Sequence, residues 1–154
     1  MFRISRRLDY GLQLMIALGA TSENHPLPTA YLASNLNIPL PFLHQIGHTL
    51  MQAGFIKATP GPHGGLRLNQ PAESISVLKI METLEGPLSV DPCKENEQSA
   101  SNEAGCATKF VWDGLQETIS VQLSGITLAS LVRQAREQPF FAFVFDENKA
   151  DSLN

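Results

Sequence analysis

The chain has 154 residues, 43% of them hydrophobic and 17% charged, and its formal net charge is −4. Its length and composition indicate one globular domain, with or without an appendage, that can bury a substantial core. They exclude a membrane-spanning helix, because no apolar run of about eighteen residues occurs. No cleavable signal pattern is present, so we predict a cytoplasmic protein without a membrane partner.

Charge is distributed unevenly along the chain. Residues 1–71 carry five basic and two acidic side chains, a charge of +3, whereas residues 72–154 carry six basic and thirteen acidic ones, a charge of −7. A basic head joined to an acidic body is typical of a chain that directs its attraction for nucleic acid through one face. Chance asymmetry in a short protein is the alternative explanation.

The first periodic segment predicts a helix of about thirteen residues, since Tyr10, Leu14 and Leu18 fall on one face. Basic side chains stand at its start, where they can meet DNA phosphates: Arg3, Arg6 and Arg7. After a proline-rich loop, Thr29 is expected to cap a short second helix. The turn Asn37-Ile38-Pro39 then leads into a third helix, which completes a helix-turn-helix pattern.

The third helix is the predicted recognition helix. Its apolar positions Phe42, Leu43, Ile46 and Leu50 recur three and four residues apart, and Ala53-Gly54 supplies the stop. The residues expected to face DNA are Pro41, His44, Gln45, His48, Thr49 and Gln52. Gln can pair with adenine and Thr can contact a thymine methyl group. The spacing of His44 and His48 also suits a metal, but no further ligands stand nearby in the sequence.

A glycine-rich hairpin follows this helix. Strands are expected at 55–59 and 66–68, joined by a turn at 60–65, and His63, Gly64 and Arg67 are expected to contact DNA. A helix followed by such a hairpin is typical of a winged helix-turn-helix, which reads the major groove with the helix and touches the flanking backbone with the hairpin. A small α+β core without a partner is the alternative.

The second half of the chain is expected to join two protomers. A fourth helix around Val77 to Leu84 precedes a polar loop at 91–105, bracketed by the only cysteines, Cys93 and Cys106. Apolar residues on two flanks of the next helix, 107–124, predict a dimer interface. Thr127 is expected to cap a last helix at 128–136, and the apolar run Phe140 to Phe145 is assigned by default to the dimer seam.

Three interpretations of the two cysteines remain open. They are inert thiols, a reversible redox pair, or ligands of a metal or iron–sulfur centre. A cluster usually needs four ligands, so two cysteines would need carboxylate, histidine or partner-chain donors beside them.

The combination of motifs resembles the Rrf-two family of bacterial winged-helix regulators, which includes IscR-like and NsrR-like members. The resemblance runs from Arg3 to about Val132 through the segments RISRRLDYGL, LASNLNIPLPFL, QAGFIKATPGPHGGLRLNQPAESIS, LEGPLSVDPC, CATKFVW and SGITLASLV. It implies a mainly α fold with a small β-hairpin, in which a winged helix-turn-helix domain is followed by a long dimerisation helix. It also implies homodimers on palindromic operators and, in many members, a 2Fe–2S or 4Fe–4S cluster in the loop before that helix.

By this resemblance, Cys93 and Cys106 match the first and third cysteines of the family, and Asp9 matches an aspartate that NsrR-like members present from the partner protomer. The family's middle cysteine has no counterpart in this chain. His44 replaces a common glutamate of the recognition helix, and Pro60 replaces the usual arginine of the wing. Any cluster is therefore expected to be labile, because oxygen donors suit iron less well than thiolates do.

We therefore predict a homodimeric transcriptional regulator, of the repressor type, that binds double-stranded DNA and has no catalytic activity. It would sense iron–sulfur status, redox state or nitric oxide through a labile cluster. The alternatives are a regulator with a thiol or other effector switch, and a protein–protein adaptor that has lost operator reading. The predicted domains are a DNA-binding domain (1–86), a sensor loop (87–106), a dimerisation helix with a final short helix (107–137) and a tail (138–154).

Overall fold

A computed structural model describes residues 4–21, 25–90 and 108–138 of the chain. Within these ranges the helices are α1 (Arg6–Ala20), α2 (Thr29–Leu36), α3 (Leu40–Gln52), α4 (Val77–Glu85), α5 (Lys109–Gly125) and α6 (Leu128–Arg136). The strands β1 (Ile56–Thr59) and β2 (Gly65–Leu68) pair antiparallel, and a 3-10 turn covers Ala72–Ser74. The predicted fold class, a winged helix-turn-helix followed by a long helix, is confirmed.

The start of α1 is fixed by a cap that the sequence analysis did not single out. Ser5 Oγ accepts a hydrogen bond from the backbone N–H of Leu8 (3.0 Å), which satisfies one of the unpaired donors of the first turn. As a result α1 is fifteen residues long rather than about thirteen, and it includes Arg6 and Arg7. Both arginines are therefore held on a helix instead of a loose N-terminal arm.

The predicted cap of α2 is wrong. Pro28 occupies the N-cap position without a side-chain hydrogen bond, and Thr29 is already the first helical residue. The cause lies one residue earlier, where the backbone of Leu27 exchanges two hydrogen bonds with Leu66 of β2, at 2.9 and 2.8 Å. This bridge anchors the chain directly before Pro28, whose carbonyl accepts the first helical hydrogen bond from Leu32 N–H (3.0 Å), so α2 begins one residue too early for Thr29 to act as its cap.

One hydrophobic core includes buried side chains of both α1 and α6. Leu128 and Val132 of α6 join the same buried cluster as Leu14 of α1. Leu128 N–H donates to the carbonyl of Ile75 (2.8 Å), and Thr127 caps α6 through Ser130 N–H (3.2 Å), as expected. The final helix therefore packs against the winged domain, while the predicted domain boundaries stay a prediction.

Unlike α6, helix α5 does not enter the core, because none of its residues is buried. Its exposed apolar side chains are Phe110 (76%), Val111 (47%), Leu115 (42%) and Val121 (62%). At 100° per residue these four side chains span an arc of about 140° on the helix surface. No described part of the protomer covers this arc.

In the part of the chain that the structure describes, no helix is both long enough and apolar enough to cross a membrane.

Candidate nucleic-acid interface

The turn between α2 and α3 sets the angle of the predicted recognition helix. Asn37 adopts a left-handed conformation (φ 53°), which asparagine tolerates better than most residues, and its N–H caps the end of α2. Ile38 follows as a buried residue whose N–H donates to the carbonyl of Ala33 (2.9 Å). Pro39 then serves as the N-cap of α3, so the two helices are joined by a rigid three-residue turn.

Helix α3 has one buried face and one exposed face, as its periodicity predicted. Leu43, Ile46 and Leu50 are at most 1% exposed and hold the helix against the core. On the other side, the exposed residues of the predicted DNA-contacting set are Pro41, His44, Gln45, His48 and Gln52, and Thr49 is half-buried. A rigid helix with a row of exposed polar side chains has the form that major-groove readout requires.

Arg7 is positioned against the recognition helix rather than simply projecting into solvent. Its Nη2 donates to Thr49 Oγ1 at 3.1 Å, and Thr49 Oγ1 in turn donates to the backbone carbonyl of Gln45 at 3.1 Å. This contact brings the guanidinium to the edge of the exposed face of α3. Arg6 beside it is exposed, so the first turn of α1 places two positive charges next to a helix that carries none of its own.

A second contact fixes the same end of α1. Ser5 Oγ, besides capping the helix, donates to Glu85 Oε1 at 2.7 Å. Glu85 is the last residue of α4, so the hydrogen bond joins the beginning of α1 to the end of α4. Sequence reasoning missed both residues. The serine directly before the periodic segment was a visible signal for the cap, but no signal pointed to a partner 80 positions away.

The wing is the β1–β2 hairpin, with its exposed tip at residues 60–63. His63 is exposed at the tip, and Gly64 N–H donates to the carbonyl of Gly61 at 3.0 Å. A Cβ atom on Gly64 would lie only 2.1 Å from the carbonyl oxygen of Thr59. Close backbone packing thus accounts for a glycine at this position, and its predicted DNA contact stays a prediction.

Arg67 lies at the base of the wing, not at its tip. It pairs across the hairpin with Lys57 and is half-buried. Its Nε atom is shielded from solvent and has no hydrogen-bond partner among the described residues. The side chain lines a cavity against the end of α1, so this placement does not by itself point to a phosphate contact.

The predicted cluster ligands are only partly described. Cys93 and Cys106 lie outside the described residues, as do Arg3 and the run from Phe140 to Phe145. Asp9 is exposed on the first turn of α1, and its Oδ2 accepts a hydrogen bond from Gln13 Nε2 at 2.9 Å. Within 4–21, 25–90 and 108–138, no three His, Cys, Asp or Glu side chains come together to hold a metal, and His44 and His48 are no exception.

Comparison with known proteins finds a matching family model and related transcriptional regulators. Residues 4–134 match the family model described as "Rrf2: Iron-dependent Transcriptional regulator". The HTH-type transcriptional regulator IscR of Erwinia tasmaniensis is 29% identical over 130 residues, which is 84% of this chain and 78% of that protein.

Two solved structures extend the likeness to the fold. CymR, the global cysteine regulator of B. subtilis, has a TM-score of 0.74 and 28% sequence identity, covering 87% of this chain and 98% of that one. T. potens IscR has a TM-score of 0.70 and 28% identity, covering 87% and 88%.

The family match, residues 4–134, begins just before α1 and ends within α6, so it includes the helix-turn-helix, the wing and α5. The exposed polar face of α3 and the two arginines beside it form the kind of surface that a DNA-binding regulator needs. The predicted family and the absence of an enzyme activity are both confirmed by these relatives. The protein belongs to the Rrf-two (Rrf2) family of DNA-binding transcriptional regulators.

Proposed function

We propose that the protein acts in the cytoplasm as a homodimer that reads a pseudo-palindromic operator with one α3 helix from each protomer. The observation that carries this proposal is the division of α3 into a buried apolar face and an exposed face with His44, Gln45 and His48. Two such helices related by a twofold axis would enter successive major grooves on one side of the duplex.

Affinity and sequence preference would come from different parts of this interface. Helix α3 contains no Lys or Arg, so its side chains would contribute base contacts, with Gln45 as the best candidate for adenine. Phosphate contacts would come from Arg6 and Arg7 on α1, from Arg3 before it, and from the wing tip around His63 and Gly64. Thr29, at the start of α2, and Arg67, at the base of the wing, complete the proposed contact set.

A gel-shift titration tests the proposal on DNA from the chain's own upstream region, at a stated salt concentration. We expect binding to be at least about a thousandfold tighter than to scrambled DNA of the same length. Equal binding to both sequences would contradict operator reading. Binding that does not respond to salt, together with a stable protein partner in pull-downs, would instead favour the adaptor.

Gln45→Ala and Arg6→Ala form a matched pair that separates the two kinds of contact. Gln45→Ala is expected to reduce the preference for the operator, because a base contact is lost. Arg6→Ala is expected to weaken all sequences alike and to lower the slope of log affinity against log salt by roughly one unit, since one phosphate contact disappears. Gln134→Ala, an exposed glutamine on α6, is the control and should change neither value.

The uncovered arc of α5 supports the homodimer. It presents Phe110, Val111, Leu115 and Val121 at exposures between 42% and 76%. A second copy of the same helix would cover this arc by apolar contact, as a twofold interface requires. Neither α4 nor α6 covers it within the protomer, because no residue of α5 is buried.

Sensing would depend on Cys93 and Cys106, with Asp9 of the partner protomer as a third donor. The exposed carboxylate of Asp9 on the first turn of α1 is compatible with this role, and the proposal assigns no fourth ligand. Two thiolates and one oxygen donor would hold an iron–sulfur cluster less firmly than four thiolates. When bound, such a cluster would supply iron that reacts with oxidants or nitric oxide. Loss of the cluster would then change repression.

The visible spectrum of anaerobically purified protein tests the cluster. We expect absorbance at roughly 320–460 nm, where thiolate-bound clusters absorb, and we expect Cys106→Ser to abolish it. A colourless protein without iron or sulfide would contradict the cluster. It would leave the thiol switch, which mass spectrometry would detect as a disulfide between Cys93 and Cys106 after mild oxidation.

A further inference from the structure

Thr49 lies at the margin of the exposed face of α3. It is half-buried, whereas Gln45, one helical turn earlier, is exposed. At 100° per residue the side chains of Gln45 and Thr49 are about 40° apart around the helix, and the buried Ile46 lies about 60° further on. Thr49 therefore stands on the side of α3 that meets Arg7 of α1, not at the centre of the surface expected to face bases.

The hydroxyl group of Thr49 is engaged on both sides. It donates its proton to the backbone carbonyl of Gln45 at 3.1 Å, and its oxygen accepts a hydrogen bond from Arg7 Nη2 at 3.1 Å. Because a hydroxyl has a single proton, this one has none left for an acceptor on a base. The bond to the helix backbone also fixes the orientation of the hydroxyl, so its oxygen is a fixed acceptor for the guanidinium.

The two helices that carry these side chains are also joined by a separate contact. Tyr10 of α1 packs edge-to-face on Phe42 of α3, with 5.6 Å between the ring centroids and 83° between the ring planes. Such aromatic pairs stabilise a packing arrangement beyond the area that they bury. Loss of the Thr49 hydroxyl would therefore release the side chain of Arg7 while α1 stays packed on α3.

Arg7 can still bind DNA while Thr49 holds it. The contact with Thr49 uses one N–H donor of the guanidinium, and the exposed side chain keeps other donors for a phosphate. We propose that Thr49 is a positioning residue, which holds Arg7 beside Gln45 and makes no base contact of its own. This inference rests on the proposed function, in which Arg7 binds a phosphate and Gln45 reads a base. The two contacts would then keep a fixed spacing and set the register of α3 on the operator.

Two substitutions separate the positioning role from a contact between Thr49 and a thymine methyl group. Thr49→Val keeps the methyl group and loses the hydroxyl, whereas Thr49→Ser keeps the hydroxyl and loses the methyl group. In gel shifts we expect Thr49→Val to weaken operator binding by about three- to tenfold, because a released arginine must be ordered on binding. Thr49→Ser should bind like the wild type. A methyl contact would give the reverse order.

The salt dependence shows whether Thr49 acts through Arg7. Arg7→Gln is expected to lower the slope of log affinity against log salt by roughly one unit, since a phosphate contact is lost. Thr49→Val should leave this slope unchanged, because Arg7 still reaches its phosphate. In an Arg7→Gln protein, Thr49→Val should have no further effect, whereas in an Arg6→Ala protein it should have its full effect.

The free protein supplies a measurement that does not depend on DNA. Nitrogen NMR of the arginine side chains detects rotation about the Cζ–Nε bond, which a hydrogen bond to the guanidinium slows, and the Arg7 signal is assigned by its absence from Arg7→Gln. We expect faster rotation of Arg7 in Thr49→Val and wild-type rotation in Thr49→Ser.

Thr21→Val is the matched control. Thr21 also donates its hydroxyl proton to a carbonyl four residues earlier, that of Ala17 at 3.0 Å, but it lies at the opposite end of α1 from Arg7. Thr21→Val should change neither the rotation of Arg7 nor the operator affinity.

Three results would overturn the proposal. The first is a loss of operator affinity in Thr49→Ser but not in Thr49→Val, which would assign Thr49 to a base. The second is an undiminished effect of Thr49→Val in the Arg7→Gln protein. The third is unchanged rotation of Arg7 in free Thr49→Val protein. Equal binding of the wild type to operator and scrambled DNA would contradict the proposed function instead, and the NMR comparison would still decide whether Thr49 holds Arg7.

Discussion

Leu115→Asp is expected to convert the protein from a dimer to a monomer and to weaken operator binding by at least about a hundredfold. Leu115 lies within the uncovered apolar arc of α5, close to Val111 one helical turn away. An aspartate there would have to lose its hydration when a second copy packs on the arc, and a buried unpaired charge is strongly unfavourable. Each monomer would then bind only one half-site and lose the advantage of two linked contacts.

Sedimentation equilibrium gives the mass and a gel shift gives the affinity. Ser124→Asp is the matched control, because Ser124 is exposed on α5 but lies outside the apolar arc. It should keep both the dimer and the operator affinity. Wild-type protein that sediments as a monomer at micromolar concentration, or Leu115→Asp protein that remains a dimer, would contradict the proposed interface.

Gly65→Ala is expected to lower the free energy of unfolding by about 3 kcal/mol, at the upper end of overpacking effects. A Cβ atom at Gly65 would lie 2.1 Å from the carbonyl oxygen of Leu27, which is backbone and cannot move aside as a flexible side chain can. Relief of the clash would break the bridge between Leu27 and Leu66, whose two hydrogen bonds are 2.9 and 2.8 Å long. The wing would then lose its attachment to the segment before α2.

Urea denaturation followed by circular dichroism measures this change. Gly125→Ala is the control, because an added Cβ at Gly125 meets nothing within 4 Å. Its free energy of unfolding should not fall below that of the wild type, since alanine also has a higher helix propensity than glycine. A Gly65→Ala protein of wild-type stability would show that β2 can shift away from Leu27 without loss, contrary to the close packing of this region.

Periodicity was sufficient for the recognition helix. Leu43, Ile46 and Leu50 recur three and four residues apart, and the structure buries all three while leaving His44 and Gln45 exposed. An amphipathic pattern fixes which side of a helix faces the core, because burial of the apolar side dominates the free energy. The hairpin was also predictable, since its glycines and prolines mark the turn locally.

Local patterns could not show which distant groups meet. The hydrogen bonds from Ser5 to Glu85 and from Arg7 to Thr49 join residues 80 and 42 positions apart. The absence of a side-chain cap at Thr29 follows from the pairing of Leu27 with β2, which is equally remote in sequence. Each of these contacts depends on how α1, α4 and the wing pack, and no residue pattern within one element encodes that arrangement.

The sequence by itself determined the order and type of the elements, the exposed face of α3 and the family, because these depend on local periodicity, turn chemistry and linear motifs. The tertiary structure alone decided that Arg7 lies beside Thr49, that Arg67 lies at the base of the wing with its Nε shielded from solvent, and that no residue of α5 is buried while α6 enters the core. The physical reason is that these features arise from contacts between elements, where burial and hydrogen bonding are settled only when the whole chain packs.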